Sequence, residues 1–243
     1  MDSIQKQARR AGLFYFLACV PAPFALVFVP RALVVAGDAS ATADRVRASE
    51  ALLRWGVGCE ISSVVLMIFA LIALYDLYKP VGRRSAALMV ILFLVSIPVS
   101  LVNVLNPIAA VLLAKGPSFL AAMDRGQLDG LVYLFLRLHG QGLVVAQIFW
   151  GLWLFPQGIL AMRSGFIPRV LGALLFVAGT GYVVDSFVTL CLPQLAHQVG
   201  SIPLALEAGE GPMILWLLFR GATKTARAPG EPVLGRAAVA GTP

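Results

Sequence analysis

The sequence predicts an all-α integral membrane protein, a bundle of six transmembrane helices with both termini cytoplasmic. Three observations predict it. Of 243 residues, 59% are hydrophobic and only 13% charged, which is too apolar for an ordinary soluble domain. Six windows, roughly 12–36, 52–78, 86–114, 131–155, 168–192 and 201–219, come near the ~20 mostly apolar residues that a span requires. The basic residues then sort onto one side of those windows.

Twelve of them share a side: Lys6, Arg9, Arg10, Lys79, Arg83, Arg84, Arg163, Arg169, Arg220, Lys224, Arg227 and Arg236. The other side holds five, Arg45, Arg47, Arg54, Lys115 and Arg125, offset by Asp38, Asp44, Glu50, Asp124 and Asp129. Such an excess marks the cytoplasmic face. The net charge of +7 is therefore an orientation signal, and no nucleic-acid partner is expected. The lipid bilayer is the expected partner.

The elements follow in order. Span 1 carries an uncharged run from Ala11 to Val29, punctuated by Pro21 and Pro23. Lys6 to Arg10 before that run, with Ala39-Ser40-Ala41 beyond it, also fit a cleaved signal peptide. The run is long for one, so a retained span is expected. Residues 37–51 form an outer loop in which Ser40 or Thr42 caps a new helix. Glu50 and Arg54, an i,i+4 pair, start span 2 outside the bilayer. Gly116-Pro117-Ser118 stops span 3 and restarts the chain on the membrane surface. Residues 1–221 make one transmembrane domain, and 222–243, rich in Ala, Gly, Pro and Arg, read as a disordered cytoplasmic tail.

Internal symmetry is faint. Three spans plus three would be inverted halves, and spans 2–3 resemble spans 4–5 through Gly56-Val57-Gly58 and Gly140-Gln141-Gly142.

Polar residues concentrate in the outer half of the spans. Span 2 aligns Gly56, Glu60, Ser63, Met67 and Ala70 on one face, and span 3 aligns Ser96, Ser100, Asn103, Asn106 and Ala110. Pro107 frees a backbone carbonyl one turn before it. Gly140, Gln147, Gly151 and Gly158 form a close-packing seam on span 4, with Arg137, His139 and Gln141 near its outer end. Span 5 presents Ala178, Gly181, Asp185 and Thr189, and span 6 presents Glu207 and Glu210 before Gly211-Pro212.

Glu60, Asn106, His139, Asp185 and Glu207 each fall about 9–14 Å below the outer surface at ~1.5 Å per residue. Carboxylates at that depth must face protein, a partner or water. They imply a shared outer pocket in which Glu60, Asp185 and Glu210 converge and Arg137 neutralises one acid. The plainer reading is packing alone, which suffices for the glycines and serines. The candidate ligand-binding residues are Glu60, Asn103, Asn106, Arg137, His139, Asp185, Glu207 and Glu210, with 103–107 and 209–212 as interrupted helices.

Other chemistries are poorly supported. Lys6, Lys79, Lys115 and Lys224 all lie outside the spans, and His139 and His197 alone cannot make a three-histidine zinc site. Cys19, Cys59 and Cys191 have no paired spacing. No catalytic residue, metal or cofactor is expected, and no hydrolase, metalloprotease or nucleotide-binding motif is present. The leading expectation is a protein that binds or transports a small polar solute or cation. Its rivals are a non-catalytic assembly or sensing protein and an intramembrane enzyme acting on lipid.

The stretches GDASATADRVRASEALLRWG, ALYDLYKPVGRRSAALMV, IFWGLWLFPQGILAMRSGFIPRVLGALL with the following GYVVDS, and GPMILWLLFRG resemble a bacterial membrane family catalogued as domain of unknown function 4386. The resemblance runs from about residue 9 to 221, omits the tail, and is most specific from span 4 to span 5. It implies a bacterial cytoplasmic-membrane protein and carries over no site residue.

Overall fold

The computed structural model describes residues 2–195 and 206–222. His197, the start of the sixth window and the tail from 223 on lie outside these residues. Everything with regular structure in the described residues is helical. Four stretches are long and apolar enough to cross a membrane: Ser3–Leu33, Glu50–Ala114, Arg125–Ser164 and Arg169–Cys191.

The first stretch is broken where its prolines predict. Helix α1 (Asp2–Cys19) ends before Pro21 and Pro23, a π-helical turn spans Phe24–Phe28, and α2 (Val29–Leu33) follows with Pro30 in its first turn. Proline donates no backbone N–H, so each one forfeits a helical hydrogen bond. Helix α3 (Ala39–Ala48) is capped by Asp38, whose side chain accepts from the Ala41 amide at 2.8 Å. The expected cap at Ser40 or Thr42 thus falls to Asp38. Thr42 instead braces the loop, its hydroxyl donating to Asp38 O at 2.7 Å.

The Glu50–Ala114 stretch is 65 residues long, far more than one crossing. It comprises α4 (Glu50–Asn103) and α5 (Leu105–Ala114). At Gly82 the backbone leaves the helical region (φ −174°, ψ 94°) and the chain doubles back. Lys115 Nζ therefore lies 3.0 Å from Glu50 at the stretch's opposite end.

Helix α6 (Arg125–Leu152) starts with a capping box between Asp124 and Gln127. A single turn residue, Trp153, leads into α7 (Leu154–Ser164), and Gly165 in the left-handed region (φ 71°) turns the chain into α8 (Arg169–Cys191). The two arms pack glycine against glycine. A Cβ on Gly151 would stand 2.7 Å from Gly179 O, and one on Gly158 would stand 2.8 Å from Gly172 O. Gly140, expected in the same seam, is exposed with open space beside it. The close approach begins only deeper in the helix.

The last described segment is a 3₁₀ turn (Ala208–Glu210), helix α9 (Gly211–Leu215) and a π-helical turn (Trp216–Arg220). It lies along α1, and Gly12 admits the backbone of Leu217 and Leu218 at distances no side chain would allow. The larger core cluster joins Ala8, Tyr15, Leu74, Tyr78, Met89, Leu160, Leu175 and Leu217. A smaller one, with Val29, Leu33, Val46, Leu53 and Val111, sits beneath α3.

Candidate functional site

The site begins with Pro107. Its missing N–H leaves Asn103 O without its helical partner, and two side chains turn toward that oxygen. Asn106 Nδ2 donates to it at 3.1 Å, and His139 Nδ1 lies 3.4 Å away. Asn103 Nδ2 in turn donates to His139 O at 2.8 Å, and Asn106 Nδ2 also reaches Asn103 Oδ1 at 2.9 Å. This reciprocal clasp holds α4 against α6. It needs Gly142, since a Cβ there would stand 2.1 Å from Asn103 Oδ1.

The clasp aims His139 at Glu60. Nε2 lies 3.3 Å from Glu60 Oε2, and both side chains are buried. A ring carrying its proton on Nε2 donates to Glu60, and a doubly protonated ring donates to Asn103 O as well. Glu60 Oε1 is buried without a hydrogen-bond partner among the described residues.

A second cluster forms where α1, α6, α8 and the last segment meet. Gln147 Nε2 donates to Glu207 Oε1 at 2.8 Å and to Asp185 Oδ2 at 3.2 Å. Tyr15 donates to Glu210 Oε1, and Tyr182 donates to Oε2 at 3.3 Å. Each oxygen of Glu210 thus has one tyrosine hydroxyl as its partner.

Between the clusters is a cavity of about 200 Å³. Glu60 and Glu210 both line it, together with Ser63, Ser96, Ser100, Phe93, Trp150, Trp153 and Tyr182. Among the described residues, its remaining lining is apolar or Cys19, with no lysine or arginine. Glu60 also borders a smaller void of about 40 Å³ lined by Val29, Pro30, Leu53 and His139. The broken first stretch contributes to both spaces.

Thus Glu60, Asn103, Asn106 and His139 come together, and Glu210 shares the cavity with Glu60. Asp185 does not line it and joins Glu207 at Gln147, so the three-acid pocket divides into two adjoining groups. Arg137 is not brought to the acids. It is exposed and forms no ion pair among the described residues, because two residues before His139 is about 200° around the helix. The 103–107 break is mild, since Val104 keeps helical angles (φ −59°, ψ −22°). That at 209–212 is a real change of helix type.

Sequence reasoning missed Tyr15 and Tyr182 as partners of Glu210. Neither residue shows a spacing relation to the far end of the chain. Sequence reasoning also missed Gln157, fully buried with neither amide atom bonded, for which the geometry offers no account. Among the described residues, no cluster of three or more His, Cys, Asp or Glu is arranged to hold a metal ion.

The model of a family described as "Domain of unknown function (DUF4386)" matches residues 10–221. A protein of Archaeoglobus fulgidus, described as uncharacterized, is 30% identical over 165 residues, covering 65% of this chain and 93% of its own length. No solved structure matches.

Proposed function

This chain belongs to the family of domain of unknown function 4386, and on that premise we propose that it binds or transports a small cation through the cavity between Glu60 and Glu210. One observation carries the reading. Among the described residues, the cavity is lined by two acidic side chains and no lysine or arginine, so any negative charge those acids carry meets no lysine or arginine there. His139 offsets Glu60 in part when doubly protonated, but Glu210 has only neutral tyrosine partners. A cation relieves this, because charge far from water is costly until paired.

The chain is a membrane protein by the length and apolarity of its helices. We further propose six spans, with both termini in the cytoplasm of a bacterium. The reversal at Gly82, which makes two crossings of one stretch, supports the count. The convergence of the basic turns supports the orientation, for Arg9 donates to Phe219 O at 3.3 Å and Tyr78 stacks on Phe166. The Archaeoglobus relative shows that related sequences also occur in an archaeon. Cysteines introduced at Ser85 and Ser118 should label from opposite sides of the membrane, and labelling of both from one side would refute the topology.

The cation reading is tested by the thermal stability of the purified chain in detergent. A ligand at about 100 times its Kd should stabilise by about 2.7 kcal/mol. A panel of ammonium, methylammonium and potassium salts should contain at least one stabiliser in wild type that Glu60→Gln no longer answers. Equal responses in both proteins would refute it.

A further inference from the structure

We propose that the ligand of this cavity is a primary amine, bound as its ammonium ion and carried on an apolar body about the size of one aromatic ring. This deepens the cation reading and rests on it. Three features of the lining lead there.

The first is the hydrogen-bonding sense of the polar groups. Glu60 Oε1 is a buried acceptor with no donor, a state that persists at a free-energy cost until a donor arrives. Ser63 and Ser96 already give their protons to the carbonyls of Ala18 and Phe93. Their oxygens are left as acceptors. Glu60 and these two serines thus ask for N–H donors, which an ammonium ion has and a quaternary ammonium lacks.

The second is the rest of the wall. Leu26, Val64, Met67, Ile97 and Leu143 form it with Phe93, Trp150 and Trp153. Filled with water at ~30 Å³ per molecule, the space would hold about seven molecules, each wanting two to four polar partners. The wall cannot supply them. A hydrated inorganic ion is therefore a poor match, whereas an apolar body removes that surface from water.

The third is size. A cavity of about 150 Å³ accepts a benzene ring, and this one is about 200 Å³. One ring plus a methylammonium head fits. The aromatic residues also attract the cation through their faces.

The full chain in detergent at neutral pH should be titrated with benzylammonium, methylammonium, benzyltrimethylammonium, benzyl alcohol and potassium chloride, following its thermal midpoint. Benzylammonium should bind about tenfold or more tighter than each of the others, and Glu60→Gln should abolish that margin. Should methylammonium or potassium match benzylammonium, the proposed amine falls while the cation reading stands. A match by benzyltrimethylammonium overturns the N–H requirement, and a match by benzyl alcohol overturns the ammonium pairing. If no cation stabilises the wild type, both readings fall. These comparisons on the wild type decide the matter even if Glu60→Gln does not fold.

Discussion

Around α3, Asp44, Glu50 and Asp129 lie beside arginines or lysines; around the cavity, among the described residues, no acid does. Asp129 takes Arg47 at 2.7 Å, Asp44 takes Arg47 at 2.8 Å and Arg125 at 2.9 Å, and Glu50 takes Arg54 at 2.7 Å and Lys115 at 3.0 Å. The Asp44–Arg125 and Arg47–Asp129 pairs tie the loop helix to α6, and Glu50 with Lys115 ties the start of α4 to the end of α5. Inside, Glu60 has a histidine, Asp185 and Glu207 an amide, and Glu210 two phenols. The first arrangement gives each of its three acids at least one cation and has a structural purpose. The second leaves negative charge over, and the residue is what a ligand would meet.

If that contrast is right, the largest loss should come from the one α3 tether that is buried. Asp129 is 3% exposed and also accepts from Ser40 at 3.3 Å. Asp129→Ala would strand Arg47, which keeps Asp44 and some solvent, so the penalty is below that of a fully buried pair, about 2 kcal/mol. Thermal unfolding in detergent measures it. A cost no greater than that of Asp44→Asn would show that burial is not what distinguishes the tethers.

Gly142→Ala comes next, at about 1–2 kcal/mol from overpacking. The new methyl displaces Asn103, so His139 loses its clasp and the ligand response should weaken together with stability. Retention of a full ligand response would separate the clasp from the site.

Glu60→Gln should change stability by less than about 1 kcal/mol, because the amide oxygen still accepts from His139 and the unpaired position then holds a neutral NH2 where the carboxylate had an oxygen. The same substitution should remove the cation response. Structural and functional consequences thus part company inside the cavity, whereas around α3 they coincide.

The sequence made the apolar helices legible through run length, and the faces of α4 through period. Pro107 even foretold a free carbonyl, which proved to be Asn103 O. Glu60 meeting His139 was legible only as shared depth. The partition of Asp185 from the cavity was not, since depth says nothing about azimuth around a bundle. Arg137 failed for the same reason: its height was right and its direction wrong. Tyr15 and Glu210, 195 positions apart, meet only because the last segment lies along α1, a relation that no local pattern encodes.

The smallest effect should be a dependence on acid confined to the α3 region. The Arg47 hydrogen bond holds the Asp44 carboxyl below its ordinary value, with Arg125 assisting. Arg54 does the same for Glu50, with Lys115 behind it. A depressed folded value means that the charged acid favours the folded state. Its contribution is complete above the ordinary carboxylate range near pH ~4 and disappears as pH falls through the lower folded values. Asp44 is exposed and Glu50 half-buried at the surface, so water and salt screen the effect. The wild type should therefore lose slightly more stability than the Asp44→Asn, Glu50→Gln double variant between neutral pH and about pH 3. The gap should shrink at about 0.5 M salt, where the Debye length is only a few ångströms. Thermal midpoints across pH and salt would measure it. A double variant as acid-sensitive as the wild type would place the loss elsewhere, and the interior carboxylates would be the next to examine.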